Sequence, residues 1–185
     1  MQDNIIKNQN IIFHTPLGSG AILYRENPFV IIKVLLPRKN KKELIKDIAA
    51  ETGSSSSDNP ANSHPRAAAV ADTISDYFKG ILKCNIRIPW EWMDMGDFRE
   101  LEKAVLIATS DIPYGELRFY KEIAEAVGHP GAARFVGNTV AKNPFPIIIP
   151  CHRVVRSDGT VGKFGGGSDM KAWLIALEES LKKLQ

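Results

Sequence analysis

What this 185-residue chain has little of already excludes several kinds of protein. Only two cysteines occur, Cys84 and Cys151, and they form no Cys-x-x-Cys pair. The four histidines are scattered, so no zinc-type spacing arises and no metal site is expected. No apolar stretch approaches the ~20 residues that span a bilayer. Residues 1–4 (Met-Gln-Asp-Asn) lack the basic region and apolar run of a secretory signal. The Gly-rich stretch 161–167 lacks the Gly-Lys-Ser/Thr ending of a phosphate-binding loop. These absences predict a soluble, cytoplasmic protein with reduced thiols, no membrane association and no cofactor. What is present is ordinary for a globular chain. A hydrophobic fraction of 44% supports a core for one domain or two small ones. A net charge of +3 and a pI near 8.8 suit nucleic acid without demanding it.

The N-terminal half reads as a small antiparallel meander with helices. Residues 11–15, 21–24 and 29–36 are short apolar strands separated by turn residues, and Pro37 is expected to end the third. The basic run 38–42 reads as a solvated turn. A short helix is expected over 42–50, and a polar, flexible loop over 53–60. Val70, Ile74, Tyr77, Phe78 and Ile81 recur at helical spacing, with Ser63 as N-cap, Pro65 in the first turn and Gly80 fraying the end. Residues 86–90 read as extended. No catalytic constellation occurs here, and the expected role is structural.

In the C-terminal half, Phe98, Leu101, Val105 and Ala108 mark an amphipathic helix with Asp97 near its start. Tyr120, Ile123, Ala124 and Val127 mark a second, and residues 132–142 a third. The last two flank the turn Gly128-His129-Pro130-Gly131, which makes them a helix-turn-helix candidate, with two simply packed helices as the alternative. Ala132, Ala133 and Gly137 are small enough for close backbone approach, and Arg134 stands among them. The final helix carries Met170, Trp173, Leu174, Leu177, Leu181 and Leu184 on one stripe, with Ser168 as cap. Glu178 falls on the flank of that stripe, where a carboxylate needs a partner. His152 is the candidate, and a Lys or Arg salt bridge is the alternative.

Residues 143–153 read Asn-Pro-Phe-Pro-Ile-Ile-Ile-Pro-Cys-His-Arg. The three isoleucines predict a buried strand or extended segment, so Cys151 lies where that segment ends and the chain turns. His152 could activate the thiol. Adjacent side chains diverge in strands and helices, so the pair can cooperate only across a tight turn or through a bridging water. The alternative is an inert buried cysteine beside a surface histidine.

The string Pro-Cys-His-Arg-Val-Val at 150–155 resembles the active-site motif of the O6-alkylguanine-DNA alkyltransferases, the methylated-DNA–protein-cysteine methyltransferases that repair alkylated guanine. The resemblance runs from about Ile112 to the C-terminus. It covers a helix-turn-helix, a hinge asparagine, the Pro-Cys-His-Arg turn, a Gly-rich loop and a final helix bearing a glutamate, in that order. It implies that Cys151 is the alkyl acceptor, that His152 withdraws its proton through a water, and that Glu178 orients His152. Asn143 would be the hinge. Arg134 would enter the duplex where guanine leaves, with Ala132, Ala133 and Gly137 on the DNA-facing helix, and Tyr120 would assist nucleotide rotation. Val140, Val154, Val161, Gly162, Phe164, Gly165 and Gly166 would line the guanine pocket.

The fold so implied is α/β in the broad sense and α+β in arrangement. A sheet-plus-helix structural domain of ribonuclease H-like layout spans 1–92, and a mainly helical DNA-binding and alkyl-acceptor domain with the helix-turn-helix spans 93–185. The partner would be double-stranded DNA containing O6-alkylguanine, with O4-alkylthymine an open second substrate, and the protein a monomer consumed once per lesion. Phe164 departs from the tyrosine often found in that loop. The zinc ligands of some members are not evident, and the N-terminal half matches only in general layout. Two other readings of the same residues are a lesion sensor that binds without transfer and a thiol hydrolase using Cys151, His152 and Glu178.

Overall fold

The computed structural model describes residues 8–53 and 63–183. Residues 1–4, positions 54–60 of the polar stretch and Leu184 lie outside the described residues. The chain forms two compact units, one taking it to Lys79 together with Ile88–Asp94, the other comprising Gly80–Arg87 and everything from Met95.

The first unit is a three-stranded antiparallel sheet, β1 (Gln9–Thr15), β2 (Gly18–Glu26) and β3 (Phe29–Arg38), in that order. The tight connections after Thr15 and Glu26 make consecutive strands neighbours. β2 is central, and both its faces are buried. Ala21 and Leu23 cluster with Leu35 and with Leu44 and Ile48 of α1 (Lys41–Thr52). Ile22 and Tyr24 point the other way, and the Tyr24 hydroxyl accepts the His64 N–H at 3.1 Å, at the head of α2 (Pro65–Phe78).

Several local expectations need correcting. Pro37 does not end β3, because a register shift opposite Ser19 and Ala21 places it at a bulge on an edge strand, where no ladder donor is required. His64, not Ser63, caps α2: its Nδ1 accepts the Arg66 N–H at 3.2 Å, and its ring stacks on Phe29 at 4.4 Å. The helix ends at Phe78, and Ile81 lies beyond it, 66% exposed. Gly80 stops the helix through a left-handed φ of 71° rather than fraying it. Residues 86–90 are not one extended piece: a single 3₁₀ turn spans Trp90–Trp92.

The second unit holds α3 (Glu100–Ser110), β4 (Arg118–Phe119), α4 (Tyr120–Ala126), α5 (Ala133–Ala141), β5 (Val154–Val155) and α6 (Gly167–Lys182). α3 begins after Asp97, at a capping arrangement in which the Arg99 N–H donates to the Glu102 carboxylate at 3.0 Å. α6 starts at Gly167 with Gly166 as its cap residue, so Ser168 sits inside the first turn.

Two features of this unit build the site. β4 pairs with β5 in parallel, Arg118 with Val154 and Phe119 with Val155, which brings the start of α4 beside the segment after Cys151. The core then closes around Val105, Ile112, Ile123, Ala124, Val136, Val140, Val154 and Cys151 itself. Among the described residues, no helix is long and apolar enough to cross a membrane.

Candidate active site

The segment before Cys151 is not a strand. Ile147, Ile148 and Ile149 are all buried, but they form a tight turn in which the Ile149 N–H donates to Phe145 O at 2.8 Å. Ile147 takes a φ of 74°, a left-handed conformation costing ~1–3 kcal/mol for a β-branched residue. Asn143 holds the turn from both sides. Its Nδ2 donates to Ile149 O at 2.9 Å, and its Oδ1 accepts the Phe145 N–H at 3.0 Å. The chain leaves this turn directly into a 3₁₀ turn, Cys151–Arg153, in which all three side chains are buried. The sharp winding keeps Cys151 and His152 within one turn of backbone.

Cys151 is 4% exposed. Burial pushes its thiol above the ordinary range, against an opposing hydrogen bond from Asn143 and the positive charge of Lys171. His152 is fully buried, and burial lowers its proton affinity more than the Glu178 carboxylate raises it. Its Nε2 lies 2.9 Å from Glu178 Oε1. An ionised carboxylate can only accept, so Nε2 carries the proton and Nδ1 is the basic nitrogen.

Glu178 is the hub. Besides His152 it accepts from Arg153 Nε at 3.1 and 2.9 Å, from Arg153 Nη2 at 2.8 Å, and from the Gly115 N–H at 3.0 Å. Burial pushes its carboxyl up, but the donors from His152 and Arg153 outweigh that and hold it at about 2. The histidine and the arginine readings of its partner are therefore both met in one cluster. The buried face of α6 also differs from the expected leucine stripe. Lys171, Leu174 and Glu178 form it, and Met170, Trp173 and Leu177 lie at its margins. Residues seven apart share a helix face, so Lys171 enters the core with Glu178. Its Nζ donates to Val154 O at 2.6 Å and lies 5.8 Å from the Tyr120 ring centre, and burial lowers its pKa to about 8.

Tyr120 begins α4 and packs on the core cluster that contains Cys151, Val140 and Val154, as does Phe164. The Phe164 ring meets the His152 imidazole edge-on, with centroids 6.4 Å apart. Gly162 is buried, Val161 and Gly166 are half-buried and Gly165 is exposed on the segment leading into α6. On the outer side, Tyr120, Lys121, Ala133, Arg134, Arg156, Ser157 and Asp158 line a groove of about 350 Å³. Arg134 is exposed on α5, half-buried Gly137 faces the Tyr120 ring, and Ala132 packs on the core. Sequence reasoning leaves out Arg153, Lys171 and Asn85. For Lys171 and Glu178 a signal exists in their seven-residue spacing around Leu174. For Asn85, whose Oδ1 accepts from Arg153 Nη1 at 2.6 Å, the separation of 68 residues leaves none.

The chain is similar to several known proteins. The family model of the 6-O-methylguanine DNA methyltransferase DNA-binding domain matches residues 100–180. A methylated-DNA–protein-cysteine methyltransferase of Mycolicibacterium paratuberculosis is 43% identical over 119 residues, covering 62% of this chain and 67% of that protein. One from Methanosarcina barkeri is 39% identical over 132 residues, covering 57% of this chain and 82% of that protein. Among solved structures, the Mycobacterium tuberculosis O6-methylguanine methyltransferase aligns with a TM-score of 0.68 at 28% identity, over 94% of this chain and 93% of that one. Mycobacterium tuberculosis OGT in complex with DNA aligns at 0.71, with 28% identity and 94% of both chains covered. The α+β arrangement is thus that of the O6-methylguanine methyltransferase structures. The chain belongs to the methylated-DNA–protein-cysteine methyltransferase family.

Proposed function

We propose that this protein repairs DNA by direct reversal, moving the alkyl group of O6-alkylguanine irreversibly onto Cys151. The observation that carries the reading is the buried turn in which Cys151, stapled by Asn143, adjoins a neutral histidine oriented by an ionised glutamate. A stacked base hides O6 from any protein thiol, so the nucleotide must swing out of the duplex. Helices α4 and α5 serve as the helix-turn-helix, with Ala132, Ala133 and Gly137 close to the backbone and Arg134 filling the space the guanine leaves. Tyr120, beside both the groove and the core, guides the rotation. Val140, Val154, Phe164 and residues 161–166 form the pocket.

In the transfer, His152 Nδ1 takes the Cys151 proton through a bridging water. The thiolate sulfur attacks the alkyl carbon, and the carbon–O6 bond breaks with its electron pair passing to the purine. Tyr120, whose hydroxyl stays protonated because burial raises its pKa, donates to the departing purine. The thioether has no hydrolytic return, so each molecule acts once. The unit that runs to Lys79 and includes Ile88–Asp94, a small ribonuclease H-like sheet with its helices, is structural, and the unit holding Gly80–Arg87 and everything from Met95 binds DNA and accepts the alkyl group. The protein acts as a cytoplasmic monomer.

The test is intact mass after incubation with duplex containing O6-methylguanine. Replacement of one proton by methyl on Cys151, absent in Cys151→Ser although that variant still binds duplex, is the expected result. Binding with unchanged mass would make the protein a lesion sensor, and methyl release beyond one equivalent a hydrolase.

A further inference from the structure

Residues Gly80–Arg87 belong to the same compact unit as the site. Within them, Asn85 is tied to three groups. Its Oδ1 accepts from Arg153 Nη1 at 2.6 Å, and its Nδ2 donates to Ser110 O at 3.2 Å, on the last residue of α3, and to Ile112 O at 2.9 Å just beyond it. Arg153 offers only donors and the carbonyls only accept, so the amide can be placed only one way round. Ile112 O also accepts from Arg153 Nη1 at 2.7 Å. The guanidinium is 1% exposed and is held from two directions, Glu178 on one side and Asn85 with Ile112 on the other.

We propose that Asn85 is a positioning residue for alkyl transfer: by gripping Arg153 from behind, it fixes how much of the Glu178 charge Arg153 takes and how much reaches His152. The inference rests on the alkyl-transfer reading of the site. Glu178 is shared between two donors. When Arg153 is held square to it, the carboxylate is largely neutralised, and the imidazole stays neutral, the form that can take the Cys151 proton. When Arg153 swings away, the carboxylate acts on His152 alone and favours imidazolium, which cannot act as base. The opposing influences on His152 have these signs: Glu178 raises its proton affinity, while burial, Arg153 and Lys171 lower it. The groups around it are Glu178 and Lys171 from α6, and Cys151 and Arg153 from its own turn. Beyond them, Tyr114 faces Arg153 and Glu178, Cys84 faces Tyr114, and Tyr120 of α4 faces Lys171 and Cys151.

The experiment uses the full chain with Asn85→Ala and the near-isosteric Asn85→Asp. Single-turnover transfer from O6-methylguanine duplex is followed against pH, and the His152 ring nitrogens are titrated by NMR. In Asn85→Ala the acid limb of the rate profile and the His152 midpoint both move upward, so the rate near pH 6 falls by about tenfold while alkaline rates change little. Asn85→Asp moves both further, because its carboxylate competes with Glu178 for Arg153. Duplex affinity is unchanged in both. A limb and a midpoint that stay at their wild-type positions in both variants overturn the proposal, even if stability falls. If wild-type Cys151 stays unalkylated, the transfer reading fails, and the His152 midpoints alone still decide whether Asn85 controls the imidazole.

Discussion

Tyr120 and Gly162 are packed so closely that a β-carbon on residue 162 would lie 2.0 Å from the tyrosine hydroxyl and 2.9 Å from its Cζ. The hydroxyl is thereby seated on bare backbone, and any side chain at 162 must displace the ring. Gly162→Ala is expected to destabilise the fold by ~1–3 kcal/mol. It should also slow transfer by about tenfold or more, because the proposed proton donor moves. Thermal unfolding and single-turnover kinetics measure the two effects. Removing the hydroxyl oxygen with Tyr120→Phe in the same chain recovers part of the stability but none of the rate.

Glu178→Gln separates structure from chemistry in the hub. Glutamine keeps the shape but leaves the Arg153 charge buried without its counter-ion, at a cost of about 3–5 kcal/mol. Transfer by the folded fraction falls by about 100-fold, because the imidazolium formed on taking the Cys151 proton loses its support. Urea unfolding together with rates extrapolated to fully folded protein reads both. A variant of wild-type stability and rate would show that the cluster does neither job.

The same cluster sets an acid-side stability profile. Glu178 titrates at about 2 in the folded chain against 4.5 ordinarily. Its contribution is therefore complete above about 4.5, and is lost as pH falls toward about 2. His152 is held below its ordinary 6.5. The unfolded chain takes up that proton first, so stability begins to drop as pH falls through 6.5. Lys171, at about 8 against 10.5, adds stability as pH rises through that interval, since there too the unfolded chain binds the extra proton. Urea midpoints measured across pH should fall in two acid stages. His152→Gln removes the first stage and shrinks the second, because His152 is also the foremost group holding the Glu178 carboxyl down, leaving Arg153 to sustain the remainder.

Arg134 is exposed, so Arg134→Ala should alter folding stability by no more than about 0.5 kcal/mol. In the proposed finger role, its effect belongs to DNA. Transfer from duplex slows, whereas transfer from free O6-methylguanine base, which needs no eversion, keeps its wild-type rate. Equal slowing on both substrates would remove the residue from the finger role. Calorimetry and single-turnover assays provide the comparison.

The parts of the fold legible in sequence were those governed by local rules. The β-branched runs between turn residues mark β1 to β3, and 3.6-residue periodicity marks α2 to α6. Illegible were the places where a distant group overrides a local preference. Ile147, Ile148 and Ile149 have the composition of a strand, but Asn143 ties their backbone into a turn that no window centred on the isoleucines reveals. Pro37 has the look of a terminator, but the bulge opposite it makes its missing N–H harmless. Hydropathy puts the leucines of α6 inside and Glu178 at the margin, and leaves Lys171 out. Their polar atoms can be buried only because Val154 O, His152 and Arg153 meet them, partners fixed by tertiary packing. The two-residue β4–β5 ladder is too short to leave any pattern at all.

The burial of Cys151 has one more result, clear from its contrast with Cys84, which is exposed. Oxidants and soluble electrophiles take thiolates that solvent can reach. A sulfur kept in its hydrogenated state behind a wall of aliphatic groups is nearly blind to them. For a molecule that can act only once, such insulation is quality control: its sole reactive event is reserved for a visitor shaped to enter.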